Sequence, residues 1–139
     1  MEELVIIYTD GACVPNPGKG GWGATMQYRD VIKEFSGTEP QTTNNRMEMQ
    51  AAIEALSRLK RPCKVKIYSD SKYLVDGFTQ WFPNWKKKGR TDYLNRDLWL
   101  KLETVAAAHT IDWQWVKAHA GNPGNERAND LAEAAARNN

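Results

Sequence analysis

The 139-residue chain has little of several things that would settle its class at once. It carries only two cysteines, Cys13 and Cys63. Two thiols build no disulfide framework, and these lack the spacing of a metal site, so both are expected to stay reduced. Cys63, beside Pro62, reads as structural; Cys13 draws attention by lying shortly after Asp10. There is no long apolar run. The stretch from Leu4 to Tyr8 is too short for a membrane span or a signal-peptide core, and Met1-Glu2-Glu3 ahead of it is acidic, which predicts a cytoplasmic protein. Glycine-rich nucleotide loops are missing too: Gly18, Gly20, Gly21 and Gly23 fit neither GxxxxGK[ST] nor GxGxxG before a helix, and read as turn and close strand approach. A net charge of +2 excludes a strongly basic or acidic chain. With no repeat, linker or low-complexity tract, and with 41% hydrophobic residues, residues 1–139 form one domain able to bury a core.

What is present is a set of acidic residues in distinctive frames. Asp10 stands in YTDGA, Glu48 in TTNNRMEMQ, Asp70 in YSDSKY, and Asn129-Asp130 in HAGNPGNERANDLA. Two follow apolar strands directly: residues 4–9 lead into Asp10, and residues 64–69 into Asp70. Carboxylates that emerge where buried strands meet loops sit where open α/β sheets place their ligands.

Periodicity orders the rest. Residues 20–29 and 31–38 read as two further strands joined through Arg29-Asp30, an antiparallel meander with the first. A helix opens at Thr43 or Asn44, places Met47, Ala51, Ala52, Ala55, Leu56 and Leu59 on one stripe, and ends at Arg61-Pro62. Glu48 lies near its start. A parallel crossover returns the chain to the strand at 64–69. A short helix near 71–80, an aromatic and basic stretch at 81–90, a helix near 94–108, a strand at 111–116, the HAGNPGNER loop and an alanine-rich terminal helix complete the order βββαβαααβα. Trp22, Trp99, Trp113 and Trp115 read as core or near-core.

Were Asp10, Glu48 and Asp70 to converge, three like charges would be tolerable only around a cation. Oxygen donors without a histidine or cysteine set favour Mg²⁺, with Mn²⁺ as a substitute. Two such ions about 4 Å apart would suit in-line phosphodiester cleavage, one activating water and the other stabilising the leaving oxygen.

YTDGACVPNPGKGGWG, TTNNRMEMQAAIEAL, YSDSKYLVDG, WFPNWKKKG and VKAHAGNPGNERAN, in this order across nearly the whole chain, resemble the type 1 ribonuclease H family. The resemblance implies an α/β ribonuclease H-like fold, a five-stranded mixed sheet whose first three strands are antiparallel, flanked by helices. It implies an endonuclease that hydrolyses the RNA strand of RNA–DNA hybrids with two Mg²⁺ ions, working as a monomer with no membrane or obligate protein partner. Asp10, Glu48 and Asp70 match the family's metal-binding carboxylates, with Asp10 bridging both ions, and His119 matches a mobile-loop histidine that moves a proton or releases product.

At the fourth acidic position the chain departs from the family. Ungapped alignment through His119 and Glu126-Arg127 puts Asn129 where the family has Asp, with Asp130 one residue on. Neighbouring helix residues point about 100° apart, so Asp130 takes the place only if the register shifts. Asn129 is therefore favoured, its amide oxygen able to ligate a metal or hold a water without charge. The alternative outcome is a weakly active or non-catalytic hybrid-binding module.

By the same resemblance Asn16, Asn44, Asn45, Gln50 and the backbone near Cys13 contact the RNA strand, amides suiting a hydroxyl that both donates and accepts. Thr43 and Asn95 match a pocket for a DNA phosphate, in which Gln41 stands where some relatives carry Arg. Trp81, Trp85, Lys86, Lys87, Lys88 and Arg90 match a basic protrusion that grips the DNA strand through phosphates and aromatic faces. Trp81 and Trp85 lie four apart, which is also a helical packing interval. A DNA-directed nuclease or integrase-like transferase is the rival within the fold, opposed by the compact length and by the asparagines of TTNNRME.

Overall fold

A computed structural model describes residues 4–118 and 120–139. Strands β1 (Leu4–Cys13), β2 (Gly18–Tyr28) and β3 (Val31–Thr42) form the antiparallel meander, with the turn at Arg29-Asp30. Helix α1 (Asn44–Ser57) crosses to β4 (Lys64–Ser69). Helix α2 (Lys72–Asp76) passes through a π-helical segment, Gly77–Trp81, into α3 (Phe82–Lys87), and α4 (Arg96–Ala106), β5 (Thr110–Trp115) and α5 (Pro123–Arg137) follow. The sheet order is β3-β2-β1-β4-β5, with β4 parallel to both β1 and β5. Among the described residues no helix is long and apolar enough to cross a membrane.

Three expectations need correcting. Strands β1 to β3 run longer than predicted, because the antiparallel ladder between β1 and β2 continues to Cys13 opposite Gly20. Asp10 is thus not at a strand end. It lies where the parallel ladder between β1 and β4 stops, after Thr9 opposite Ser69. Second, the GNPGNER segment is not all loop. Asn122 caps α5, its Oδ1 accepting from the backbone N–H of Gly124 and Asn125 at 3.1 and 3.2 Å, and Pro123 suits the first helical position. Third, Trp115 is 43% exposed at the end of the edge strand, whereas Trp22 and Trp99 are in the core.

Of the β2 glycines, Gly18 closes against Pro15 in the preceding loop, whereas Gly20, Gly21 and Gly23 serve helix docking. A Cβ at Gly21 would lie 2.5 Å from the Ala132 carbonyl oxygen, and one at Gly23 would lie 2.6 Å from that of Ala128, so α5 rests backbone-close on β2. From the opposite face, a Cβ at Gly20 would meet Met47 of α1. Alternate residues point to opposite faces of a strand, so consecutive glycines admit a helix on each side. Between α1 and the sheet lies the core of Val5, Ile7, Met47, Ala51, Leu56, Val65 and Ile67. Its aromatic extension is Trp99, stacked at 6.1 Å on Phe82 and set over Gly77.

Gly23→Ala should destabilise the protein by about 1–3 kcal/mol, the usual cost of overpacking, read as a lower urea midpoint with an unchanged slope.

Candidate active site

Helix α1 begins at Thr43, whose Oγ1 accepts from the backbone N–H of Arg46 at 3.2 Å, and its second turn lies directly on β1 beside Gly11. A Cβ on Gly11 would sit 2.4 Å from the Glu48 backbone nitrogen. Because that position has none, Glu48 reaches the residue before it. Asp10 from β1, Glu48 from α1 and Asp70 from the end of β4 converge, each offering an oxygen within 4.8 Å of the others. Asp10 is 3% exposed and Glu48 8%.

This crowding perturbs both acids. Burial pushes the Asp10 carboxyl above its ordinary range and the Asp70 charge adds to that, against the lowering effect of hydrogen bonds from Glu48, Asn129 and the Gly11 N–H. Burial drives Glu48 much higher, reinforced by the charges of Asp10 and Asp70 and by the hydrogen bonds that its protonated form donates to them. Glu48 Oε1 is buried without any hydrogen-bond partner. An orphaned carboxylate oxygen, hard donors on three elements and mutual repulsion all fit a divalent cation.

Two amides of α5 complete the arrangement. Asn129 Nδ2 donates to Asp10 Oδ2 at 2.7 Å, and Asn125 Nδ2 donates to Asp70 Oδ2 at 3.3 Å. Asp130 is exposed and outside the cleft lining. Asn125, 3% exposed, is absent from the sequence-based site because GNPGNER reads as loop; the signal was Asn122-Pro123, a cap followed by a first-turn proline, which places residue 125 in the first turn of a helix. His119 lies outside the described residues.

The cleft, about 760 Å³, is lined by Asp10, Glu48, Asp70 and Asn129, by Cys13, Asn44 and Asn45 on one flank, and by Lys19, Glu133 and Arg137 on the α5 side. Asn16 is exposed and accepts from the Asn44 N–H at 3.1 Å. The Cys13 thiol is buried and turned to the carbonyls of Pro15, Gly18 and Thr42, which leaves its backbone as the contact surface. Gln50 is absent from the cleft lining; its amide donates down α1 to Glu54 at 2.7 Å.

Thr43 is the α1 cap, and Asn95 is tied beside it. Asn95 Oδ1 accepts from Arg46 at 3.2 Å, and its Nδ2 donates to the Tyr73 hydroxyl at 2.9 Å. In the basic stretch Trp81 is 40% exposed, whereas Trp85 stacks on Tyr93 at 4.6 Å and meets Trp99 edge-on, so Trp85 is chiefly packing. Lys86 is engaged by Glu103 and the Phe82 ring. Lys87 and Lys88 are exposed and form no ion pair among the described residues. Arg90 faces Asp92 at 3.5 Å.

The family model of RNase H matches residues 2–137. The chain belongs to the RNase H family. It is 58% identical over 133 residues to Ribonuclease H of Alcanivorax borkumensis, spanning 92% of this chain and 88% of that protein. It is 54% identical to Ribonuclease H of Nitrosococcus oceani, over 99% and 97% of the two chains. Among solved structures, LC9-RNase H1, described as a type 1 RNase H with the type 2 active-site motif, superposes with a TM-score of 0.91 at 34% identity, over 99% of this chain and 74% of that one. RNase H membership makes the chain a metal-dependent endonuclease.

Glu48 takes up a proton on folding in the absence of metal. The stability linked to that proton is present below about pH 4, where the unfolded carboxyl is also protonated, and is lost as pH rises through the elevated folded value. Glu48→Gln should therefore raise Tm in chelator at pH 7, with the gain shrinking toward pH 4. Added Mg²⁺ should stabilise the wild-type protein and not the variant.

Proposed function

We propose that residues 1–139 form one catalytic domain that cleaves the RNA strand of RNA–DNA hybrids with two Mg²⁺ ions, Mn²⁺ substituting. The observation that carries this reading is the convergence of Asp10, Glu48 and Asp70 within 4.8 Å around an unpartnered buried oxygen. Metal ions bound there would activate water and stabilise the leaving oxygen. The chain's own residues hold and orient. Asp10, Glu48 and Asp70 would hold the ions, with Asp10 central between β4 and α5. Asn125 fixes the Asp70 carboxylate, and Asn129 fixes Asp10 through its N–H, leaving its amide oxygen for a cation or a water. His119 is assigned the proton movement.

Asn44 and Asn45 flank the carboxylates, Asn16 accepts from the Asn44 N–H, and all three are assigned to the RNA 2′-hydroxyls, with the Cys13 backbone; Gln50 makes the weakest case, since its amide is occupied. Thr43 and Asn95 are assigned a DNA phosphate, and Trp81, Lys87 and Lys88 the DNA backbone further along. A solved relative, LC11-RNase H1, has a structure in complex with RNA/DNA hybrid; it is 22% identical, with a TM-score of 0.72. We assign the chain a cytoplasmic, monomeric existence.

A strand-labelled hybrid, with matched double-stranded DNA and RNA, tests the assignment across Mg²⁺ and Mn²⁺. Only the hybrid's RNA strand should be cut, and chelator should abolish cleavage; salt-dependent binding without cutting under either ion would leave a binding module instead. Asn129→Asp should lower the Mg²⁺ needed for half-maximal rate several-fold. Asp130→Ala should leave rate and metal dependence alone. For the basic segment, Lys87→Ala with Lys88→Ala should reduce the slope of log affinity against log salt by up to about 0.9 for each phosphate left without its cation, and Lys86→Ala by less, because Glu103 already engages that ammonium.

A further inference from the structure

One aromatic pair stands apart from the layer around Trp99 and lies against α5. Tyr8 of β1 and Tyr68 of β4 are register partners in the parallel ladder, and their rings stack at 4.7 Å with 12° between the planes. The Lys66 ammonium lies over the Tyr68 ring, 5.8 Å from its centroid. Asp10 follows Tyr8, and Asp70 follows Tyr68, at the same short interval along the chain. In the first turn of α5, Gly124 rests on this pair: a Cβ there would stand 2.4 Å from Tyr8 Cε2 and 2.5 Å from Cδ2. Asn125, the next residue, is the one whose amide reaches Asp70 Oδ2.

The contact bears on the metal site because little else near it can give way. Stacked on Tyr68, the Tyr8 ring is not free to swing aside. Beyond its first turn α5 is held as well, with its backbone close on Gly21 and Gly23 and Arg127 paired to Glu34 of β3. The height of the first turn above the rings is what remains to be set. At 3.3 Å the bond from Asn125 to Asp70 lies just beyond the usual N–H···O span, whereas that from Asn129 to Asp10, one turn on, is 2.7 Å. A lifted first turn loses the former and keeps the latter. We infer that the stacked tyrosines are a positioning seat for α5: through Gly124, which has no side chain to hold the helix off, they set Asn125 against Asp70 and so fix the orientation of that carboxylate for a metal ion. The inference rests on the metal-binding reading above.

The apparent Mg²⁺ dissociation constant, taken from the rise of Tm with Mg²⁺ concentration, reads this without substrate. Gly124→Ala should raise it about three- to tenfold, at or below the usual cost of losing a group that orients a metal ligand. Asn125→Ala should raise it to a similar extent, and the two together no further, since the glycine acts through the amide. Removing the ring offsets the added methyl, so Gly124→Ala with Tyr8→Leu should bind Mg²⁺ more tightly than Gly124→Ala alone. Tyr8→Phe keeps the stacked ring and should match the wild type. Should Gly124→Ala fail to fold, Tyr8→Leu carries the test: it should weaken Mg²⁺ binding, and have no such effect once Asn125 is alanine. A folded Gly124→Ala protein that binds Mg²⁺ as the wild type does, or whose loss simply adds to that of Asn125→Ala, overturns the seat and leaves the metal site standing. A wild-type Tm that does not respond to Mg²⁺ overturns both.

Discussion

The backbone contact between Gly11 and the second turn of α1 is the constraint on which the site depends. No side chain intervenes between strand and helix there, so α1 lies close enough for Glu48 to reach Asp10. Met47, Ala51 and Ala52 of the same helix are buried against the sheet and hold it down through apolar packing. Packing thus brings two acids together that electrostatics would keep apart. Burial raises both carboxyls above their ordinary range, Glu48 most of all, and the neighbouring charges add to it. A buried acid pair of this kind is stable as a proton-sharing unit or as a ligand set, and an incoming cation converts one into the other.

Helix α5 makes the matching approach from the other face. Gly21 and Gly23 let it rest on β2, the bidentate pair of Arg127 with Glu34 at 2.6 and 2.8 Å ties it to β3, and Asn122 sets its first turn. Asn125 and Asn129, one helical turn apart, then face Asp70 and Asp10. Both are neutral donors. They orient the carboxylates without adding to the local negative charge.

The aromatic layer of α2, α3 and α4 follows a different logic. Trp99 and Phe82 are fully interior, Trp85 lies half-covered on Tyr93, and Trp81 reaches the surface. Burial falls off along this series, so one cluster anchors the helices inwardly and presents an aromatic face beside Lys87 and Lys88 outwardly. On the opposite flank, Trp115 and Lys72 repeat the pairing of exposed ring and cation on a smaller scale.

Much of this can be read along the chain. Apolar strands leading to Asp10 and Asp70, the α1 stripe, the Arg29-Asp30 turn and the element order follow from local periodicity and turn chemistry, which depend on near neighbours. The motif frames carried the family. Trp81 and Trp85 show the limit: a four-residue interval puts two side chains on one helix face but does not say which is covered, since covering depends on Tyr93 and Trp99 from elsewhere in the chain. The end of β1, the docking role of the β2 glycines, the recruitment of Asn125 and the exposure of Trp115 are likewise set by distant partners. Residue order alone thus defines which side chains are able to ligate, cap and span. Which of them meet is a matter of packing, because the absence of a Cβ between Gly11 and α1, and an amide reaching a carboxylate 55 residues away, act between elements and belong to no local segment.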